Sequence, residues 1–338
     1  MHFSSSRMTL AEDIRNSVAP EWEGFERLMG ESLTSRSDLL NKINNYLLDA
    51  SGKKLRPLLA LVTAKACSGS INQKAVACAA VSELIHTATL LHDDVVDDSD
   101  QRRGRATVRK LFSPGTSLLI GDYWLTRAIH LLISYSCPYE VLGIYSKALE
   151  DLSEGEIIQM ELADSLRATE DDYIQVIRRK TASLFIASAK GPAIVSGASE
   201  EVVSAMEQYA YWLGCGFQIR DDILDYHPST ETGKDSDSDI MERKITMPLL
   251  CAMRNAPEEE ERIRRRMGDI TCDPSRKDQD REVASEIRTF VLTHGGIESA
   301  TGVVRDYSLR AQRCLEILKP SLSRDGLASI AASLCGSL

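Results

Sequence analysis

The stretch AVACAAVSELIHTATLLHDDVVDDSD, from Ala75 to Asp100, decides the fold class. Up to His92, apolar residues recur at three- and four-residue spacing on nearly every side, which predicts a central buried α-helix. Five carboxylates follow at Asp93, Asp94, Asp97, Asp98 and Asp100. On a helix Asp93, Asp94 and Asp97 share one face. Like charges at the end of a buried helix repel strongly because the local dielectric is low, so a cation is expected there.

Apolar residues keep the helical spacing along almost the whole chain of 338 residues. Breaks rich in Gly, Pro and Ser separate the apolar segments, and no alternating strands with hairpin turns recur. Aromatic residues make up 6% of the chain, while helix-forming residues are plentiful. We therefore predict one all-α domain over residues 1–338. Residues 1–50 are expected to form N-terminal helices near the surface, and residues 257–281 a charged surface segment.

The composition excludes several classes of protein. The net charge is −10 and no basic patch is evident, which argues against a nucleic-acid partner. The eight cysteines show no paired or zinc-finger spacing, and this pattern is typical of reduced thiols in the cytoplasm. No uninterrupted apolar run reaches the roughly 18 residues that a transmembrane helix needs. We expect a cytoplasmic protein without a transmembrane segment.

A second acidic cluster repeats the DDxxD spacing of the first. It lies in GFQIRDDILDYH (Gly216–His227), at Asp221, Asp222 and Asp225, and also ends an apolar helical segment. Mg²⁺ binds one or two carboxylates, keeps several waters and completes its octahedron with phosphate oxygens. The absence of nearby Cys or His ligands argues against zinc. The two clusters together predict several Mg²⁺ ions with a diphosphate between them.

Cationic residues that could bind this diphosphate occur near both clusters. Guanidinium groups suit bidentate phosphate recognition, and lysine acts as a point charge. His86 lies two helical turns before Asp93 on nearly the same face. Each of these residues taken alone could equally be a solvated surface charge or, for His86, a core histidine. The candidates are Lys53, Lys54, Arg56, Arg102, Arg103, Lys180 with Thr181, Lys234 and Lys244.

On these motifs the chain resembles the all-trans polyprenyl diphosphate synthases. ELIHTATLLHDDVVDDSDQRRG is similar to the first aspartate-rich region of that family, and GFQIRDDILD to the second. The resemblance extends motif by motif from GKKLRP to ERKITMP. It implies a large single-domain helical bundle, usually a homodimer, whose central cavity holds the two aspartate motifs facing each other. The N-terminal helices would pack on the bundle or on the dimer partner.

The resemblance also implies roles for individual residues. The magnesium ligands would be Asp93, Asp94, Asp97, Asp221, Asp222 and Asp225. Isopentenyl diphosphate would be bound by Lys53, Arg56, His86 and Arg103. The allylic diphosphate would be bound by Arg102, Lys180, Thr181, Gln218, Lys234 and Lys244, with Arg102 and Lys180 also counted as catalytic. The chain departs from the family at Ser51, Asp237 and Arg243, which are commonly glycine, and this affects the expected shape of the loop after the second cluster.

The chemistry implied by the resemblance is a head-to-tail condensation. Mg²⁺ and basic groups stabilise the departing diphosphate, and the allylic C–O bond ionises. The double bond of isopentenyl diphosphate attacks the carbocation, and the resulting cation loses a proton to the released diphosphate. The small residues Ala88 and Thr89 stand where bulky aromatics keep products short in the family. They imply an octaprenyl to decaprenyl product, of the kind used for quinone side chains, with peripheral membrane contact during product release. Small residues also permit close helix packing, and Trp124 or Phe185 could instead set the tunnel floor.

Three alternatives stay open at this point. A shorter-chain farnesyl or geranylgeranyl diphosphate synthase would carry the same motifs. A terpene cyclase would share the fold and the ionisation step, but such cyclases usually replace the second DDxxD by an Asn/Ser/Glu motif. A non-catalytic subunit of a synthase would typically lose one aspartate cluster, whereas this chain keeps both.

Overall fold

The structure is a computed structural model that describes residues 14–50, 52–102, 104–226, 237–271 and 274–336. The chain divides into two compact units. The first unit comprises Met1–Lys147, Leu184–Ala210 and Cys314–Ile330. The second unit comprises Ala148–Ser183, Tyr211–Arg313 and Ala331–Leu338. Nearly all regular structure is helical, so the prediction of an all-α fold is confirmed.

Among the described residues, the N-terminal part of the first unit contains helices and one small hairpin. The helices are α1 (Ala19–Ser32), α2 (Asp38–Asp49), α3 (Leu55–Ser68), α4 (Gln73–Val96), α5 (Val108–Leu111) and α6 (Pro114–Ser134). The hairpin strands are β1 (Gln101–Arg102) and β2 (Arg105–Ala106), which pair antiparallel.

Helix α4 is the centre of the first unit and packs against α1, α3 and α6. Its N-cap is Asn72, whose side chain accepts a hydrogen bond from the Ala75 backbone N–H across 2.9 Å. Every residue from 75 to 85 is buried. By length and composition α4 could cross a membrane, but 72% of its most apolar window is buried inside the protein. Such burial is typical of a core helix.

Helix α7 (Tyr139–Ser165) begins in the first unit and ends in the second. The helices that follow are α8 (Glu170–Ile177), α9 (Ser183–Val195), α10 (Glu200–Asp225), α11 (Ser238–Met241), α12 (Met247–Asn255), α13 (Glu260–Gly268), α14 (Lys277–Thr293), α15 (Gly296–Cys314) and α16 (Leu322–Ala332). A π-helix over Arg178–Ala182 joins α8 to α9. Short 3₁₀ turns cover Pro257–Glu259, Pro274–Arg276, Leu315–Ile317 and Ser333–Cys335.

Within the second unit, α12 and α13 pack on α14. The charged segment 257–281 lies here, and its helix α13 buries Ile263 and Met267 while Arg262 and Arg265 are exposed. Arg262 and Arg266 both pair with Glu286 of α14. Within this segment, α13 is therefore an amphipathic helix whose apolar side joins the core.

Candidate active site

The first acidic cluster lies at the C-terminal end of α4. Asp93 and Asp94 are in the last turn of the helix, and Asp97 is its C-cap residue. Asp94 is only 4% exposed, Asp93 is half-buried and Asp97 is exposed. The Arg102 Nε–H donates to Oδ1 of Asp94 across 2.7 Å. The β1–β2 hairpin thus returns a cation to the buried carboxylate, as the crowded charges required.

Two other carboxylates of the same stretch, Asp98 and Asp100, form ion pairs with residues of α5. Asp100 pairs with Nη1 of Arg109 at 2.8 Å and with Nζ of Lys110 at 2.7 Å, and Arg109 also pairs with Asp98. The Thr107 hydroxyl donates to the Ser99 carbonyl across 2.8 Å. Sequence reasoning missed Arg109 and Lys110, although an adjacent cation pair about ten residues after an acidic run is a usable signal.

Close packing of α6 against α4 positions His92, the residue that precedes the first acidic cluster. His92 precedes Asp93 and lies against Gly121 of α6, where a Cβ atom would overlap the imidazole ring. The imidazole Nε2 is 3.3 Å from the Leu118 carbonyl oxygen and 3.4 Å from a carboxylate oxygen of Asp122. A glycine at position 121 therefore lets α6 approach the end of α4 that carries the carboxylates.

The residues assigned to isopentenyl diphosphate also belong to the first unit. Lys53 is exposed just before α3, and His86 is half-buried on α4. Arg56, in the first turn of α3, stacks its guanidinium over the Phe185 ring at 4.5 Å from the centroid. Arg103 lies outside the described residues. The stacking orients one face of the Arg56 guanidinium against an apolar surface.

The second acidic cluster ends α10. Asp221 is exposed, Asp222 is 4% exposed and Asp225 is half-buried. Burial raises the pKa of Asp222 to about 6, while hydrogen bonds from Tyr173 and Gln218 act in the opposite direction. Asp222 therefore binds a proton more readily than an ordinary aspartate in the absence of metal.

Three side chains are linked through Asp222, and two of them, Tyr173 and Thr181, are buried. The Tyr173 hydroxyl donates to its Oδ2 across 2.5 Å, and the Gln218 amide donates to its Oδ1 across 2.8 Å. The Gln218 carbonyl oxygen in turn accepts from the Thr181 hydroxyl across 2.6 Å. The structure thus brings Thr181, Gln218 and Asp222 together. Tyr173 was not found from the sequence, because nothing in its local pattern marks it.

Asp225 accepts hydrogen bonds from the first residues of α11. Its carboxylate accepts from the Ser238 hydroxyl across 2.6 Å and from the Asp239 backbone N–H across 3.0 Å. Burial, followed by the charges of Asp222 and Asp225, raises the pKa of Asp239 well above its usual range. Asp239 is a further carboxylate at this cluster that sequence reasoning missed.

Lys180 and Thr181 occupy the π-helix between α8 and α9, a feature frequent at functional sites. The Lys180 ammonium pairs with Glu156 of α7 and lies 3.4 Å from Oε1 of Gln159. A Cβ atom at Gly155 would come within 2.9 Å of the Arg179 Cβ, so glycine permits this approach. Glu156 was another residue that the sequence did not reveal.

A cavity of about 110 Å³ lies within the second unit beside these groups. Its polar lining includes Tyr173, Lys180, Thr181, Gln218, Asp222 and Lys244. Its apolar lining includes Leu162, Val176, Ile177 and Ile245. The arrangement combines cations and carboxylates with apolar walls, which is suited to an anionic headgroup on a hydrocarbon.

Two departures from glycine fall at strained backbone positions. Asp237 has φ +69° and Arg243 has φ +59°, in the left-handed region that favours glycine. The Arg288 Nε is 3.6 Å from a carboxylate oxygen of Asp237, and Arg243 donates to the Asp164 carbonyl across 3.4 Å. Ser51 and Lys234 lie outside the described residues.

The chemistry of these side chains fits a hard cation. Among the described residues, no three His, Cys, Asp or Glu side chains converge into a ready-made metal cage. The candidate donors Asp93, Asp97 and Asp221 supply only oxygen, which suits Mg²⁺ and does not suit zinc. Mg²⁺ commonly binds through few protein ligands together with substrate oxygens, so a site completed by diphosphate is consistent with this arrangement.

The two candidate chain-length residues differ in their surroundings. Ala88 is fully buried, whereas Thr89 is half-buried and donates its hydroxyl hydrogen to the His86 carbonyl across 2.9 Å. Trp124 is buried, and its indole N–H donates to Asn44 across 2.9 Å. Of Ala88 and Thr89, therefore, only Thr89 has surface that a substrate could touch.

Residues 37–284 match the Polyprenyl synthetase family. The chain belongs to this family. The resemblance drawn from the aspartate motifs is thereby confirmed, and it extends beyond those motifs. The family is dependent on divalent metal ions.

Three relatives illustrate the similarity. The chain is 33% identical to octaprenyl diphosphate synthase of Haemophilus influenzae over 321 residues, covering 95% of each protein. Its fold matches a decaprenyl diphosphate synthase from Rhodobacter capsulatus with a TM-score of 0.87 and 34% identity, covering 96% and 98% of the two chains. A polyprenyl synthase from Caulobacter crescentus, crystallised with calcium and isoprenyl diphosphate, matches with a TM-score of 0.87 and 29% identity, covering 96% and 97%.

Proposed function

We propose that this chain is a Mg²⁺-dependent trans-prenyltransferase that adds isopentenyl diphosphate to an allylic diphosphate and makes a long-chain all-trans polyprenyl diphosphate. The observation that carries the proposal is the pair of acidic helix ends, α4 and α10, each presenting a buried carboxylate beside more exposed ones. Membership of the Polyprenyl synthetase family and the names of the long-chain relatives support it.

Each acidic cluster divides its carboxylates between two tasks. Asp93, Asp97 and Asp221 are the more exposed members, and we assign metal binding to them. Asp94 and Asp222 are buried and hydrogen-bonded, so each is fixed at the end of its own helix while it completes the ligand set. When bound, Mg²⁺ neutralises charge on the departing diphosphate.

The chain's own groups then act on the allylic substrate. Lys180 and Arg102 bind its diphosphate oxygens and stabilise the charge that develops as the C–O bond breaks. Thr181 and Gln218 lie next to Lys180 and orient the substrate at the same place. The apolar walls of the cavity exclude water from the carbocation. Lys234 and Lys244 are assigned to the same diphosphate.

Lys53, Arg56, His86 and Arg103 are assigned to isopentenyl diphosphate. Steady-state kinetics with each substrate varied in turn tests this division. We expect Lys53→Ala and His86→Ala to raise the KM for isopentenyl diphosphate. Lys180→Ala should mainly affect the allylic substrate, in both KM and kcat. Equal effects of all three substitutions on both substrates would contradict the assignment.

The product length is proposed to be octaprenyl to decaprenyl, for use in quinone side chains. The growing chain would follow α4 from Asp93 toward the N-terminus of the helix, past the small side chain of Thr89. A shorter product would identify the chain as a farnesyl or geranylgeranyl synthase. Turnover without consumption of isopentenyl diphosphate would identify a cyclase. No turnover by the purified chain alone would identify a non-catalytic subunit.

A homodimer in the cytoplasm, with peripheral membrane contact only at product release, is also proposed. An exposed apolar stripe on α6 supports it, formed by Leu118, Leu119, Ile129 and Ile133. Apolar surface of this kind is typical of a protein contact. Light scattering should give twice the chain mass for the wild type and the monomer mass for Ile129→Glu with Ile133→Glu. A monomeric wild type would contradict the dimer.

A further inference from the structure

Asp222 is held from both sides by side chains. Tyr173, on α8, donates to one carboxylate oxygen across 2.5 Å, and Gln218, one turn earlier on α10, donates to the other across 2.8 Å. Tyr173 is 5% exposed and Asp222 is 4% exposed, so water does not easily replace the Tyr173 hydroxyl at this carboxylate. The carboxylate plane is therefore fixed relative to both helices.

The hydrogen bonds continue from Asp222 to the π-helix. Gln218 accepts from Thr181 across 2.6 Å, and Thr181 adjoins Lys180. Tyr173 lies on α8, which runs directly into the same π-helix. The hydroxyl of Tyr173 thus ties the start of this helical segment to α10, while Thr181 ties its end to the same helix through Gln218.

We propose that Tyr173 is a positioning residue, whose hydroxyl fixes Asp222 and the linked Gln218 and Thr181 in the orientation that binds the metal–diphosphate unit. The inference rests on the proposed function and adds a residue to it. Tyr173 does not touch the reacting carbons in this account. Without its hydroxyl, the Asp222 carboxylate can rotate about its side-chain bonds, and part of the binding free energy is used to reorder it.

The test compares Tyr173→Phe with a matched control. Tyr209 is another fully buried tyrosine whose hydroxyl donates one hydrogen bond, to the Leu327 carbonyl across 2.8 Å in the first unit. Tyr209→Phe removes the same atom from a hydrogen bond that none of the site residues makes, although Tyr209 lies earlier on α10, the helix that carries Asp222. Isothermal titration with inorganic diphosphate in the presence of excess Mg²⁺ measures binding without turnover. Thermal unfolding of both variants measures the structural cost.

We expect Tyr173→Phe to weaken Mg²⁺-dependent diphosphate binding about tenfold, the order expected for one hydrogen bond to a charged group. Tyr209→Phe should leave the affinity unchanged, while it lowers the unfolding temperature by about as much as Tyr173→Phe does. In an Asp222→Asn background, Tyr173→Phe should add little further loss, because the two residues act through one bond. Unchanged affinity in Tyr173→Phe, or full additivity with Asp222→Asn, would overturn the proposal.

If Tyr173→Phe fails to fold, a conservative replacement tests the same hydrogen bond. 3-Fluorotyrosine at position 173 retains the ring and a hydroxyl donor, so it should bind diphosphate as tightly as the wild type. A loss of affinity as large as that expected for phenylalanine would contradict a role for the hydrogen bond. If the wild type binds Mg²⁺ and diphosphate but incorporates no isopentenyl diphosphate, the proposed function fails while the positioning role of Tyr173 stands.

Discussion

The Arg102 guanidinium donates from Nε to the buried Oδ1 of Asp94 across 2.7 Å. Asp94 is one of the two carboxylates that are buried in the acidic clusters, and Arg102 follows it by only eight residues through the β1–β2 hairpin. The hairpin therefore has a specific task, which is to return a cation to the end of α4. The crowded carboxylates after the apolar helix are tolerated because most of them have cationic partners.

Removing this cation should destabilise the protein. Arg102→Met keeps the length of the side chain but leaves the Asp94 carboxylate buried without its charged donor. We expect the free energy of unfolding to fall by about 1–3 kcal/mol. In the double variant with Asp94→Asn, a large part of this loss should disappear, because the uncompensated charge is gone. Chemical denaturation of the wild type, the two single variants and the double variant measures the coupling between Arg102 and Asp94. Strictly additive losses of unfolding free energy would show that the two residues do not interact.

The carboxylates assigned to the metal should differ sharply from Asp98 and Asp100 in their effect on catalysis. Asp94→Ala and Asp221→Ala are expected to lower kcat by several orders of magnitude with the helical content retained. The matched controls are Asp98→Asn and Asp100→Asn, which remove charges that pair with Arg109 and Lys110. Because these pairs are exposed, each should be worth less than about 1 kcal/mol, and turnover should stay within about tenfold. Equal inactivation by all four substitutions would contradict the distinction between carboxylates that bind metal and carboxylates that only form ion pairs.

Product length should respond to Thr89 more cleanly than to Ala88. Thr89→Phe would place a ring one helical turn from Asp93 on partly exposed surface, so the growing chain should stop at farnesyl or geranylgeranyl diphosphate. Ala88 is fully buried, and Ala88→Phe should instead cost about 1–3 kcal/mol by overpacking. Chromatography of the dephosphorylated products, with thermal unfolding alongside, separates the two effects. A long-chain profile retained in Thr89→Phe would show that the tail runs elsewhere.

The metal-free protein should lose stability as the pH rises through the range of Asp222. Burial raises the pKa of this carboxyl from 3.8 to about 6, so between these values the folded state binds more protons than the unfolded state. The stabilisation is present below pH 4 and lost above pH 6, at about 1.4 kcal/mol for each unit of pKa, or on the order of 3 kcal/mol in all. Asp222→Asn, in excess chelator, should flatten this slope in denaturation curves. An unchanged slope would contradict the role given to Asp222.

The sequence was sufficient for the parts of the molecule that follow local rules. The periodicity predicted a buried helix for α4 and an apolar helix for α10, and both carry their aspartates in or beside the last turn. The structure links Thr181, Gln218 and Asp222 by hydrogen bonds, and the roles expected for these residues stay predictions. The commonly glycine positions 237 and 243 do have left-handed backbones, although they carry side chains here.

Other features could not be obtained from the sequence because they depend on contacts between distant segments. Tyr173 meets Asp222 across 49 positions of sequence, and Glu156 meets Lys180 only because Gly155 allows a close approach. The π-helix over residues 178–182 has no periodicity signal of its own. The burial of Ala88 depends on the helices packed around α4. Such contacts are set by packing, which the helical spacing of a single segment does not specify.

We expect this chain alone to make a long all-trans polyprenyl diphosphate. The most direct measurement incubates the purified protein with Mg²⁺, an allylic primer and radiolabelled isopentenyl diphosphate, and identifies the products by mass spectrometry. The account predicts incorporation that stops in excess chelator and products in the octaprenyl to decaprenyl range. Products no longer than geranylgeranyl diphosphate, or full incorporation with the metal removed, would contradict it.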